Sequence, residues 1–250
     1  MRIALARPLA SGYANGPMRI IMFRFLWIII SYLLGSIPFG YLITRFSTGK
    51  NVLEIGWRKT SGSNVFRNVG KWQGALTGIL DLLKGYLAVF GAQKLGLPIE
   101  VQVVSGLAAV VGHNWSIFLK FAGGRGIGTM IGAFFALSPK ILGLALIPFI
   151  LMGIIWNFSI GTLLFFPAAI FLSFFSSFSD CGVAGIFSIL LLIPVLIKRL
   201  SPIKEIFPLK EKKILIRNRL LFDNDQSLFD FRIKKIFKRV DTKNKFAKFK

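Results

Sequence analysis

Residues 101–119, VQVVSGLAAVVGHNWSIFL, form an apolar run of about the length that crosses a bilayer, and it leads through Lys120, Phe121 and Ala122 into Gly123-Gly124-Arg125-Gly126. A second apolar run, 127–137, starts directly after the glycines. Crossing about 30 Å of hydrocarbon takes roughly 20 helical residues, so the glycine turn sits between two membrane segments. Glycines let backbone N–H groups turn toward a small anion, because they tolerate positive φ and carry no Cβ. A helix beginning at Ile127 adds the positive end of its dipole, and Arg125 adds a planar, permanently charged fork suited to phosphate. The pattern predicts a phosphate-binding turn at the edge of a bilayer.

Working outward, apolar runs recur over residues 22–43, 72–92, 101–119, 127–137, 141–156, 160–178 and 182–197, with Ser138-Pro139-Lys140 breaking the fourth from the fifth. The expected fold is therefore all-α: a polytopic integral membrane protein with about seven transmembrane helices, some of them short. The composition agrees, with 54% hydrophobic residues and a mean hydropathy of +0.66. Residues 1–21 read as an N-terminal extension, with Met18 or Met22 as alternative starts; 22–200 read as the membrane domain and 201–250 as a basic tail. The extension lacks the apolar stretch of a cleaved signal peptide.

The net charge of +22 is uneven: residues 198–250 hold 17 Lys/Arg against 6 Asp/Glu, and the loop 45–71 holds six Lys/Arg against Glu54. By the positive-inside rule these segments and the Lys120/Arg125 turn face the cytoplasm, which puts the N-terminus outside. The cations of residues 1–21 run against that orientation, and the larger set decides it. Within the tail, Phe229, Phe231, Ile233, Ile236 and Phe237 among cations predict an amphipathic surface segment over 223–250. No nucleic-acid-binding motif accompanies the charge, so membrane lipid is the expected partner and nucleic acid is not. One cysteine, Cys181, excludes an internal disulfide, and one histidine, His113, excludes a multi-histidine metal site.

Ionisable groups inside apolar spans need a reason to be there. Asp81 and Lys84 stand three apart on one helical face, so they can pair. Two readings stay open: a structural ion pair facing the bundle interior, or Lys84 beside a bound phosphate with Asp81 orienting it. His113 and Asn114 end the third span just before the glycine turn, where the histidine is either a hydrogen-bonded packing residue or part of the anion site. Ser36, Pro38 and Gly40, followed by Arg45, offer a second polar wall or simply a helix kink. Ser63, Asn64 and Arg67 have the spacing to hold phosphate oxygens or glycerol hydroxyls; the alternative is a helix N-cap at Ser63 with a solvated Arg67. Gly-x-Ser-x-Gly, His-x4-Asp and Walker A patterns are absent from the sequence, so the chemistries they mark are not expected.

Taken in order, these pieces resemble the PlsY family, the integral-membrane acyl-phosphate:glycerol-3-phosphate acyltransferases of bacteria. The similarity spans about residues 31–160. Gly35-Ser36-Ile37-Pro38-Phe39-Gly40-Tyr41-Leu42-Ile43 with Arg45 is similar to the first family motif. Ser63-Asn64-Val65, Arg67, Gly70-Lys71 and Asp81-Leu82-Leu83-Lys84-Gly85 resemble the segment that follows. Gly112-His113-Asn114, Phe118, Phe121, Gly123-Gly124-Arg125-Gly126 and Thr129 match the second motif. The resemblance implies a seven-helix fold with its N-terminus outside, in the bacterial inner membrane, and an active site facing the cytoplasm. It implies transfer of an acyl group from acyl phosphate to glycerol 3-phosphate, giving lysophosphatidic acid and phosphate, with no metal, nucleotide or other cofactor. It also implies that the acceptor's phosphate helps its own hydroxyl react. By the same resemblance Ser36, Arg45, His113 and Asn114 form the catalytic set, and Ser63, Asn64, Arg67, Lys84, Gly123, Gly124, Arg125, Gly126 and Thr129 hold substrate phosphate.

Three features depart from the family. Arg125 replaces the usual lysine of the glycine turn. Trp57 and Arg58 stand where small residues are expected, which reshapes the pocket. Residues 194–197 lack the His and Asn that precede Lys198-Arg199-Leu200 in the family pattern. These departures leave open a paralogue with another acceptor or none. A small-anion or lipid transporter is the other alternative, although no repeat relates the two halves of the chain.

Overall fold

The computed structural model describes residues 16–175, 181–201 and 212–222, and within them every regular element is a helix. The long elements are α1 (Gly16–Ser36), α2 (Phe39–Thr48), α3 (Gly62–Asn68), α4 (Lys71–Lys94), α5 (Ile99–Asn114), α6 (Ile127–Leu137), α7 (Pro139–Ile155), α8 (Phe158–Phe175), α9 (Cys181–Leu200) and α10 (Lys212–Phe222). Five stretches are long and apolar enough to cross a membrane: Met18–Thr48, Lys71–Lys94, Ile99–Leu119, Phe158–Phe175 and Gly182–Leu200. Ile127–Leu137 and Pro139–Ile155 are shorter apolar helices. Large apolar side chains such as Ile79, Leu82, Leu83 and Leu87 on α4 lie exposed, as side chains facing lipid do. The expected surface segment over 223–250, and most of the expected extension over 1–21, lie outside the described residues.

Two expected spans, both within stretches apolar enough to cross, are not single helices. The span expected over 22–43 is two helices, α1 and α2, interrupted at Ile37 and Pro38. Proline has no N–H and disfavours helical backbone at the residue before it, so α1 stops there. Its last carbonyls find partners elsewhere, as helix ends require: Ser116 Oγ donates to Ser36 O, and Lys84 Nζ donates to Ile37 O at 3.0 Å. α2 ends at Gly49, whose left-handed φ of 70° returns its N–H to Arg45 O.

The run expected over 101–119 is helical only as far as Asn114. Trp115 leaves helical geometry (φ −129°, ψ 75°), and Ile117–Leu119 form a single 3-10 turn. Lys120 and Phe121 then both take positive φ, 52° and 64°. The chain folds back so that Phe121 N–H donates to Ser116 O at 2.8 Å and Ser116 N–H donates to Ala122 O at 3.1 Å. This compact loop delivers the glycine turn back against the end of α5.

The chain divides into two compact units between Leu137 and Ser138. In the first, α4 packs against α1, α2, α3, α5 and α6. Small residues bring backbones together, the usual device of membrane helices. A Cβ at Gly132 would strike Leu82 O, and one at Gly85 would strike Thr129 O, so α4 and α6 touch backbone to backbone. α1 meets α5 the same way, Gly35 on Ala109 and Gly112 on the Tyr32 carbonyl. Polar pins cross these contacts, Trp27 Nε1 to Ala88 O at 3.0 Å, Tyr32 Oη to Trp115 O at 2.9 Å and Gln93 Nε2 to Ala136 O at 2.8 Å.

In the second unit α7 packs on α8, α8 on α9, and α10 on both α8 and α9. Its core includes the fully buried Phe165, Phe166, Phe187 and Leu191. Arg199 ends α9 by donating to Ser159 O at 2.7 Å and to Leu220 O at 2.5 Å, which ties the start of α8 and the end of α10 to the Lys198-Arg199-Leu200 run.

The close α4–α6 contact has a direct test. Gly132→Leu forces the helices apart and is expected to cost about 1–3 kcal/mol or more, seen as a lower melting temperature in detergent. Gly143→Ala, where an added Cβ meets no atom within 4 Å, is expected to melt at the wild-type temperature or slightly above. Equal responses from the two variants would contradict the backbone contact.

Candidate active site

A buried charge in an apolar helix must be paired or it does not stay charged. Asp81 is 3% exposed and Lys84 is 2% exposed, and one turn of α4 brings Lys84 Nζ to 2.9 Å from Asp81 Oδ1, as the spacing predicts. The same carboxylate oxygen lies 3.3 Å from His113 Nδ1. Lys84 Nζ also reaches Ile37 O at the Pro38 break and lies 5.7 Å from the Phe39 ring centroid. One carboxylate thus joins the middle of α4, the break between α1 and α2, and the end of α5.

His113 then faces the glycine turn. Gly124 N–H donates to His113 O at 3.0 Å, and a Cβ at Gly124 would overlap His113 Nε2. A Cβ at Gly123 would overlap the His113 and Asn114 carbonyls. Gly126, at φ 75°, packs beside Asn114 Oδ1, which a Cβ there would approach to 2.7 Å. Each glycine is required by the end of α5, and the turn feeds straight into the N-terminus of α6. With Nδ1 against Asp81, the imidazole turns its Nε2 edge toward Gly124.

Around this contact lie polar groups without partners among the described residues. Ser36, Asn114 and Thr129 are each 0% exposed. Yet Ser36 Oγ, both side-chain atoms of the Asn114 amide and Thr129 Oγ1 have no hydrogen-bond partner among the described residues. Ser36 Oγ lies beside Gly112, Asn114 beside Gly126, and Thr129 one helical turn into α6. Buried polar groups are nearly always hydrogen-bonded, so three such residues at the ends of α1 and α5 and the start of α6 are unusual.

The loop between α2 and α3 supplies the next wall. Asn64 is its knot: Oδ1 accepts from Trp57 N–H at 2.9 Å, and Nδ2 donates to Lys59 O at 2.8 Å and Ile55 O at 3.1 Å. Asn68 Nδ2 adds a bond to Asn64 Oδ1 at 2.9 Å. The Asn64 amide is therefore occupied in shaping the loop. The loop presents Trp57, and two guanidinium carbons approach its ring centroid, Arg125 at 4.9 Å and Arg67 at 5.3 Å.

Several expected site residues thus meet in the first unit: Ser36, Lys84, His113, Asn114, Gly123, Gly124, Gly126 and Thr129 are buried together about α4, α5 and α6, and Arg125 is half-buried beside them. Three are exposed. Arg45 donates to Gly49 O, Arg67 stacks on Trp57, and Ser63 lies 3.4 Å from Ser61 Oγ. The N-cap of α3 is Ser61, so the alternative reading of Ser63 as that cap is corrected. Two residues carry more than the sequence credited to them. Asp81 holds the histidine as well as the lysine, and Trp57 gathers two arginines; an isolated acid inside an apolar run and a tryptophan among cations were the visible signals.

Fold and site together define an all-helical, membrane-spanning protein with buried polar groups about a glycine turn. Residues 25–208 match the glycerol-3-phosphate acyltransferase family, and the chain belongs to that family. It is 39% identical over 178 residues to glycerol-3-phosphate acyltransferase 1 of Dehalococcoides mccartyi, covering 68% of this chain and 85% of that one. It is 34% identical over 199 residues to the glycerol-3-phosphate acyltransferase of Endomicrobium trichonymphae, covering 78% and 98%. The crystal structure of PlsY (YgiH), an integral membrane glycerol 3-phosphate acyltransferase, in its glycerol 3-phosphate form is 26% identical and aligns with a TM-score of 0.65 over 74% of this chain and 92% of its own. Its lysophosphatidic acid form aligns over the same shares with a TM-score of 0.61.

Asp81→Asn leaves Lys84 buried without its carboxylate. Breaking a buried pair costs about 3–5 kcal/mol, so this variant is expected to melt well below the wild type in detergent. The double variant Asp81→Asn/Lys84→Met, which removes the stranded charge, is expected to recover most of the loss. A single variant as stable as the wild type would contradict the role given to Asp81.

Proposed function

We propose that the chain transfers an acyl group from acyl phosphate to glycerol 3-phosphate, giving lysophosphatidic acid and inorganic phosphate. The observation that carries this reading is the set of buried Ser36, Asn114 and Thr129 polar atoms without partners among the described residues, at the end of α1, the end of α5 and the first turn of α6, on either side of the glycine turn. Family membership supports the reaction class. Both substrates carry a phosphate, and both suit a pocket that pairs cations with turned backbone N–H groups.

The acceptor's primary hydroxyl oxygen attacks the acyl carbonyl carbon, forming the ester C–O bond. The carbonyl–phosphate C–O bond then breaks, and the departing phosphate ends with the hydroxyl proton. No net proton is consumed, so the site's main task is to hold two phosphates in line and stabilise the oxyanion. Arg125, with Arg67 nearby and the N-terminus of α6 beside it, holds phosphate oxygens. The Ser36 hydroxyl and the Asn114 amide offer hydrogen bonds to the acceptor or to the developing oxyanion. Lys84 and Asp81, bonded to each other, hold His113 and the Pro38 break in register with the turn. Arg45 lies at the exposed entrance on α2, where a cation attracts anionic substrates.

The membrane arrangement belongs to the same proposal: seven crossings, N-terminus outside, and the glycine turn and basic loops on the cytoplasmic side of a bacterial inner membrane. The excess of Lys/Arg in residues 45–71 and 198–250 supports it.

Purified protein given palmitoyl phosphate and glycerol 3-phosphate is expected to release lysophosphatidic acid and phosphate in equal amounts, and to make neither product from acyl-CoA. Arg125→Ala removes a charge-assisted bond of about 1.5–3 kcal/mol, so kcat/KM should fall by roughly 10- to 150-fold. Gly124→Ala should raise KM for glycerol 3-phosphate by displacing His113 from the turn. No product from the wild type, or full activity in both variants at low substrate, would overturn the reading.

A further inference from the structure

Trp57 holds a position that the reaction does not obviously require. It sits in an exposed loop, yet the backbone on either side of it is set with care. Gly56 and Arg58, its two neighbours, both take left-handed φ, 56° and 54°. For a non-glycine residue that conformation has a local cost, tolerated where the surroundings enforce it. The enforcement is visible: the Asn64 amide binds the backbone at Ile55, Trp57 and Lys59. The outcome is an indole held against Arg125 of the glycine turn and Arg67 of α3, at 4.9 and 5.3 Å.

A guanidinium stacked on an indole uses its face. Its N–H donors lie in its own plane, so stacking leaves them directed along the edge, where a phosphate binds in bidentate fashion. An ammonium has no such plane and gains less orientation from the same ring. Stacking also lowers the entropy that a long side chain loses when a ligand fixes it. We infer that Trp57 is a positioning residue: it presets the Arg125 guanidinium for a phosphate-bearing ligand and holds Arg67 as a second cation against the same ring. The inference rests on the acyltransferase reading only for the identity of that ligand, glycerol 3-phosphate or acyl phosphate.

The test is a double-mutant cycle. Trp57→Leu and Trp57→Phe are each made with Arg125 and with Arg125→Lys, and two quantities are read: inorganic phosphate affinity by calorimetry, and kcat and KM for glycerol 3-phosphate. With Arg125 present, Trp57→Leu is expected to weaken phosphate binding and raise KM by about threefold to tenfold, with kcat within about twofold, and Trp57→Phe to retain most of the affinity. With Lys at 125, the Trp57→Leu penalty is expected to vanish. A penalty of equal size in both backgrounds, a Trp57→Phe variant as impaired as Trp57→Leu, or unchanged affinity in Trp57→Leu would overturn the inference. Should Trp57→Leu fail to fold by its melting curve, Trp57→Met in the two backgrounds carries the test, a penalty seen only with Arg125 supporting the inference and an equal penalty, or none in either, overturning it. A wild type that makes no lysophosphatidic acid while the phosphate cycle still shows coupling would sink the acyltransferase reading and leave this one standing.

Discussion

The carboxylate of Asp81 cannot sit alone among apolar helices, and the structure of the first unit follows from how it is paired. Lys84 Nζ and His113 Nδ1 approach the same oxygen, at 2.9 and 3.3 Å. The lysine passes the connection on to Ile37 O, the carbonyl at the proline break. The histidine passes it on to the glycine turn through its own carbonyl and its Nε2 face. Three distant stretches of sequence, 36–38, 81–84 and 113–124, are therefore fixed relative to one another by one buried anion. A buried pair of this kind is weak evidence for stability and better evidence for a fixed arrangement.

Rigid backbone contacts complete the frame. α4 and α6 meet at Gly85 and Gly132 with no side chain between them, so the first turn of α6 cannot drift from the Asp81 face of α4. Against that frame stand Ser36, Asn114 and Thr129, buried and unpaired within the described residues. Asn64 closes a loop through its own amide, whereas the Asn114 amide has no partner among the described residues and, in the proposed reaction, is open to substrate. The order of the frame and the openness of these groups are the two halves of preorganisation.

Much of this was legible in the sequence, for physical reasons. Apolar runs near twenty residues can hardly be anything but membrane helices, and the i,i+3 spacing of Asp81 and Lys84 announces their pair. Gly123-Gly124-Arg125-Gly126 reads as an anion turn in the sequence, whereas the close packing of each glycine on the end of α5 emerges only in the structure. The break at Pro38 was visible only as a kink, since the sequence does not show that Lys84 and Ser116 cover the freed carbonyls. The end of α5 at Asn114 was hidden because Trp115, Ile117, Phe118 and Leu119 are as apolar as the helix before them; only the left-handed Lys120 and Phe121 turn the chain back. Trp57 read as an intruder in a small-residue loop, and its contact with Arg125, 68 residues along the sequence, is purely tertiary.

His113 is the chain's single histidine, so its imidazole nitrogens can be followed by ¹⁵N NMR without assignment. The most direct measurement labels histidine in the detergent-solubilised protein and records the ring ¹⁵N signals with and without glycerol 3-phosphate. Asp81 as partner of Nδ1 predicts a proton on Nδ1, with the Nε2 signal, which faces the turn, moving when the phosphate ligand is added. A ring with its proton on Nε2 alone, or signals indifferent to the ligand, would contradict the central place given to the Asp81–His113–Gly124 contact.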